Sequence, residues 1–184
     1  MKTLDPKTTA LLLIDVINDF EFEGSGNLLR YALPASKRLA SLKKRLAGAG
    51  VPVVYVNDNF GHWQSDFKQQ IARCSGPESI GREVAGRLLP EEGDYFVLKP
   101  KHSGFFSTSL EVLLGYLGIE TLILTGLSSD ICVLYTANDA YMRDYQLVIP
   151  SDCVAAESKK RNALALRHMK TLLKARVVNS RSIR

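Results

Sequence analysis

TLILTGLSSDICVLYTANDAY, residues 121 to 141, is the stretch whose reading decides how this 184-residue chain folds. Residues 121 to 127 form an apolar run with β-branched members and a glycine near its end, which reads as a buried parallel strand. A helix is expected immediately afterwards. Asp130 stands where an N-cap belongs, and Val133, Ala137 and Ala140 recur at helical spacing. Cys132 then falls in the first turn, where unsatisfied backbone N–H groups and the positive end of the macrodipole favour thiolate over thiol. A lone cysteine is more often a small buried hydrophobe than a nucleophile. What separates the two readings is whether other strand ends supply an acid–base partner and a charge stabiliser.

Outward from this stretch, strands and helices alternate. Residues 9 to 15 (TALLLID) read as a buried strand ending in a carboxylate, and the polar loop NDFEFEGSGN follows. Ala35, Leu39, Leu42, Leu46 and Ala49 keep the spacing of an amphipathic helix over 34–50. Residues 52–57 (PVVYVN) form the second strand, short helices are expected near 66–74 and 78–88, and residues 94–99 (DYFVLK) form a third strand broken off by Pro100. Leu110, Leu113, Leu114 and Leu117 share one face of a helix closed by Gly118. After the cysteine helix come a fifth strand at 146–150, the connector VAAES, a helix over 157–173 and a short sixth strand at 176–179. This alternation predicts an α/β fold over 1–184: a single doubly wound, Rossmann-like sheet of six mainly parallel strands in the order 3-2-1-4-5-6, with helices on both faces.

Composition narrows the function classes. Hydrophobic content of 46% and charged content of 23% are those of a folded globular chain and exclude a disordered one. No apolar run approaches the roughly 18 residues of a membrane span, and the N-terminus lacks a basic-then-apolar leader, so a cytoplasmic protein with no membrane partner is expected. Cys74, Cys132 and Cys153 form no CxxC pair and no zinc spacing, which points to reduced thiols. The net charge of +5 is spread over many positions, the longest basic block being Lys159–Lys160–Arg161, so nucleic acid is not an expected partner. There is no GxGxxG to bind a dinucleotide, and GLSSD is not the GxSxG elbow of a serine hydrolase; no cofactor is expected.

In a doubly wound sheet the ligand lies at the carboxyl ends of the strands, where strand order reverses. Asp15 and Cys132 then face each other across that switch point, with Lys99 on the same rim. A carboxylate, an ammonium and a thiol are what acyl transfer through sulfur requires: the first moves the proton, and the second holds the carboxylate and offsets developing negative charge.

Three blocks, LLLIDVINDF at 11–20, KPKHSGFFSTSL at 99–110 and GLSSDICVLYTANDAYMRDYQLVIPSDCVA at 126–155, resemble the isochorismatase-like cysteine hydrolases in order, spacing and strand context. The resemblance implies a catalytic triad of Asp15, Lys99 and Cys132 that cleaves a C–N bond of a small carboxamide or ureido compound through a thioester. It also implies a cis peptide between Leu127 and Ser128, an oxyanion hole made by the N–H groups of Ser128 and Cys132, and a homodimer or homotetramer. Two positions depart from the family pattern: Ile17 replaces the usual Gln, and the loop VNDNFGHWQSDF has one histidine, His62, and no Asp-x-His metal motif. No catalytic metal and a substrate other than nicotinamide are therefore expected, with His62 on the rim. Phe20, Asn57, Trp63, His102 and Phe105 are the candidates for the substrate pocket. Two alternatives remain open: vinyl ether hydrolysis of the isochorismatase type, and a non-catalytic binding or assembly module. An activated Cys132 is expected to alkylate below the free-thiol pKa of about 8.5.

Overall fold

The four large residues Leu11, Leu12, Leu13 and Ile14 have no solvent exposure, and burying each is worth about 2 kcal/mol, so this first strand takes the middle of the sheet. The computed structural model describes residues 4–61 and 66–183. Its elements are β1 (Thr9–Ile14), α1 (Ser25–Gly48), β2 (Val53–Asp58), α2 (Phe67–Ser75), α3 (Arg82–Arg87), β3 (Tyr95–Lys99), α4 (Leu110–Tyr116), β4 (Thr121–Leu127), α5 (Cys132–Tyr141), β5 (Gln146–Pro150), β6 (Val154–Ala155), α6 (Lys159–Thr171) and β7 (Arg176–Val178). The strands run β3-β2-β1-β4-β5-β7, all pairs parallel, with β6 attached to the end of β4.

Alternation along the strands separates two apolar layers. Leu11 and Leu13 of β1 pack with Leu39, Leu42 and Leu46 of α1 and with Val84 and Ala85 of α3. Ala10, Leu12 and Ile14 pack on the other face with Leu110 and Leu114 of α4, Val133 and Ala137 of α5, and Met169 of α6. Where β1 and β4 meet, Gly126 lies opposite Ile14 in register at φ 104°, and a Cβ there would sit 2.0 Å from the Ile14 carbonyl oxygen. Only glycine permits this approach, which brings the ends of the two central strands together. Among the described residues no helix is long and apolar enough to cross a membrane.

The expected order holds, with three corrections. Helix α1 begins at Ser25, nine residues before the expected start at 34, because Leu28 and Ala32 continue its buried stripe; Pro34 removes one backbone donor inside the helix without ending it. The connector after β5 contains an additional two-residue strand, β6, so the expected sixth strand is β7. Asp130 is not the N-cap of α5. That position is Ile131, with no side-chain cap, and the Asp130 carboxylate turns instead to the Ser128 hydroxyl and the Arg161 guanidinium.

Candidate active site

The three strands on one side of the switch point all end in charge. Asp15 follows the last residue of β1 at φ 50°, Asp58 closes β2, and Lys99 closes β3 directly beside Asp58 in register. Backbone hydrogen bonds fix their relative height: the Asp15 N–H donates to the Val56 carbonyl at 3.0 Å, and the Asp58 N–H donates to Asp15 Oδ1 at 2.7 Å. Lys99 Nζ then reaches three groups, Asp15 Oδ2 at 2.9 Å, Asp58 Oδ2 at 3.4 Å and Cys132 Sγ at 3.6 Å. Strand ends far apart in sequence thus bring Asp15, Lys99 and Cys132 together. Sequence reading missed Asp58, which obeys the same strand-end rule and was left in the loop by a boundary drawn at Asn57.

Burial sets the electrostatics. The Lys99 side chain has no exposure, which disfavours its charge, yet Asp15, the Cys132 sulfur and Asp58 together outweigh this and hold its pKa above the ordinary lysine value. The Cys132 thiol is pushed up, first by burial and then by the Asp15 carboxylate, with Lys99 opposing. Against the expectation of a resting thiolate, burial and the neighbouring carboxylate favour the protonated sulfur. Cys74 and Cys153, both buried, are pushed up to about 12, chiefly by burial.

These shifts carry a stability consequence. A thiol whose folded-state pKa is raised contributes stability that is complete below the ordinary thiol pKa and is lost as pH rises toward the folded value. All three cysteines are shifted upward, so the urea midpoint is expected to hold from pH 7 to 8 and fall between pH 9 and 11. A midpoint independent of pH over that range would contradict the burial of these thiols.

Beyond β4 the Leu127–Ser128 peptide is cis. The turn is pinned from β6, where the Ala155 carbonyl accepts the Ser129 N–H at 2.7 Å, and the Ser128 carbonyl accepts the N–H groups of Ile131 and Val133 at 3.1 Å. The amides of Ser128 and Cys132 have no acceptor among the described residues, Cys132 being the first residue of its helix. An oxyanion hole requires donors that are not already spent on the protein. The Thr136 hydroxyl donates to the Cys132 carbonyl at 2.7 Å and accepts the Gly104 N–H at 3.0 Å, which joins the 100–107 loop to the cysteine helix.

The pocket candidates fare unevenly. Phe20 has no exposure and packs in the layer under α1 and α3, so it lines no open cleft. Asn57 is likewise fully buried, its side-chain N–H donating to the Ile17 carbonyl at 2.7 Å, and it holds the loop after β1 in place. Phe105 is 6% exposed and packs against Tyr145 and the Arg143 guanidinium. Phe20 and Phe105 thus leave their loops to pack into the two apolar layers, whereas Asn57, inside β2, is held by its hydrogen bond to Ile17. His102 is exposed, with its ring 5.5 Å from that of Tyr135, one helical turn beyond Cys132, and so stays on the rim. Trp63 and His62 lie outside the described residues. Among the described residues no group of three or more His, Cys, Asp or Glu side chains is placed to hold a metal ion.

A family model described as the isochorismatase domain matches residues 9–182. The isochorismatase family protein YaaI of Bacillus subtilis is 39% identical over 174 residues, covering 95% of this chain and 95% of its own. The ureidoacrylate amidohydrolase RutB of Methylobacterium radiotolerans is 29% identical over 192 residues, covering 88% of this chain and 74% of its own. Among solved structures, N-carbamoylsarcosine amidase from Thermoplasma acidophilum superposes with a TM-score of 0.73 at 29% identity, over 96% of this chain and 98% of that one. A parallel α/β sheet of the observed order and a domain match over nearly the whole length place the chain in the isochorismatase family of hydrolases.

Proposed function

We propose that the chain hydrolyses a C–N bond of a small carboxamide or ureido compound through a thioester on Cys132, with Asp15 moving the proton and Lys99 holding the charge. The observation that carries this reading is one ammonium 2.9 Å from a carboxylate and 3.6 Å from a thiol sulfur at the mouth of a parallel sheet. RutB and N-carbamoylsarcosine amidase, similar to this chain over most of its length, are both named for amide-type hydrolysis, which supports the bond class.

As the substrate carbonyl approaches, the thiol proton passes to Asp15 and sulfur bonds to carbon. The carbonyl oxygen becomes an oxyanion facing the Ser128 and Cys132 amides, while Lys99 offsets the charge gathered between sulfur and carboxylate. Collapse breaks the C–N bond, and protonated Asp15 returns its proton to the leaving nitrogen. Water then attacks the thioester, Asp15 takes its proton, and expulsion of sulfur with that proton restores the thiol.

The test is acid quench during turnover of a panel of neutral carboxamides and ureido compounds, followed by mass analysis of the intact protein and of the Cys132 peptide. The expected result is an adduct equal to substrate minus amine on Cys132, absent in Cys132→Ala. Turnover of the panel by Cys132→Ala at a near-wild-type rate, with no adduct in the wild type, overturns the reading.

A further inference from the structure

We infer that Asp58 is a charge-selecting residue of the cleft, setting the enzyme against substrates that carry a carboxylate beside the scissile bond and in favour of neutral or cationic ones rich in N–H donors. This deepens the hydrolase reading and shares its cleft and its sulfur.

Three observations carry it. First, the charges do not cancel: in the ion pairs of the described residues, Asp15 and Asp58 both meet the single ammonium of Lys99. With Cys132 as a neutral thiol, the four groups sum to one negative charge. Second, the excess resides on Asp58. Lys99 is closer to Asp15, 2.9 Å against 3.4 Å, and the Asp15 and Lys99 side chains are 7% and 0% exposed while that of Asp58 is 32% exposed. Of the three charged side chains, the Asp58 carboxylate is thus the one most open to solvent. Third, Asp58 has acceptor capacity to spare. Its Oδ1 takes the Phe60 N–H at 2.7 Å, whereas among the described residues Oδ2 has only the long contact to Lys99, leaving a lone pair for a substrate amide or ureido N–H. Asp130, on the turn before Cys132, is already closed by Arg161, which also pairs with Glu157.

Iodoacetamide and iodoacetate, nearly equal in size and differing by one negative charge, read this selection without any turnover. Pseudo-first-order rates at Cys132, followed by peptide mass analysis, give an amide-to-acetate ratio; the same ratio in the urea-unfolded chain is the reference. The folded ratio is expected to exceed the reference by about tenfold or more, the effect of one like charge at close range. Asp58→Asn should bring it back by about tenfold, while Asp58→Glu keeps it high. Asp58→Ser, which retains an acceptor for the Phe60 N–H, serves the same purpose as Asp58→Asn should the latter fail to fold. A wild-type ratio at or below the reference would mean that Lys99 dominates the cleft and overturns the inference, as does a ratio unchanged in both neutral variants. Failure of the hydrolase reading shows differently, as absence of acyl adduct and turnover with the alkylation ratio intact.

Discussion

Asp15→Asn is expected to lower kcat/KM on an identified amide by about a thousandfold, within the range that a positioned acid–base group contributes, and at the same time to make Cys132 alkylate faster at neutral pH. The two effects have opposite sign because Asp15 plays different parts at rest and in reaction. At rest its carboxylate, next after burial, pushes the thiol pKa up, and Lys99 pulls the other way. Removing the carboxylate's charge leaves burial opposed by Lys99 alone, so the thiol pKa falls and the thiolate fraction at pH 7 rises, about tenfold for each unit recovered. In reaction the variant has no group to take the thiol proton from the encounter complex or to return it to the leaving nitrogen. Iodoacetamide rates and steady-state rates, measured on the same preparation, decide the matter. If the variant slows in both assays, Asp15 already acts as the base of a preformed thiolate, and the electrostatics described here are wrong.

Lys99→Met should damage folding and catalysis together. The substitution is nearly isosteric, so packing is conserved, but it leaves the Asp15 carboxylate, 7% exposed, facing Asp58 with no counter-charge. Breaking a buried pair by removing one partner costs about 3 to 5 kcal/mol. Urea denaturation at pH 8 should show a loss of that order. Turnover should fall by about a thousandfold, because nothing then offsets the charge passed between sulfur and Asp15. A variant as stable as wild type at pH 8 would show that the cluster is well hydrated and that Lys99 holds nothing in place.

The parts of this site that follow from short-range patterns could be read in the chain itself. Asp15 and Lys99 end apolar runs, and Cys132 follows a strand and opens a helix, so sheet topology alone brings them to one rim. Asp58 obeys the same rule and is lost only through a one-residue difference in where β2 stops. Other features depend on distant partners. Asp130 sits where a cap belongs, but its carboxylate is claimed by Arg161, thirty-one positions on, a contact that no local spacing encodes. The charge state of Cys132 is of this kind as well: the helix terminus is visible in sequence, whereas burial and the nearness of Asp15 arise only in the folded sheet. Asn57 and Phe20 resemble pocket residues because they border loops, but the apolar layer beneath α1 takes up Phe20, and the Asn57 amide is engaged by the Ile17 carbonyl.

The hydroxyl of Thr136 serves two masters at once, the carbonyl of the reacting cysteine and the amide of Gly104. Tuning of selectivity through the segment around Gly104 is thereby bound mechanically to the pose of the sulfur. Replacing that segment with a relative's would therefore also shift the carbonyl of the reacting cysteine.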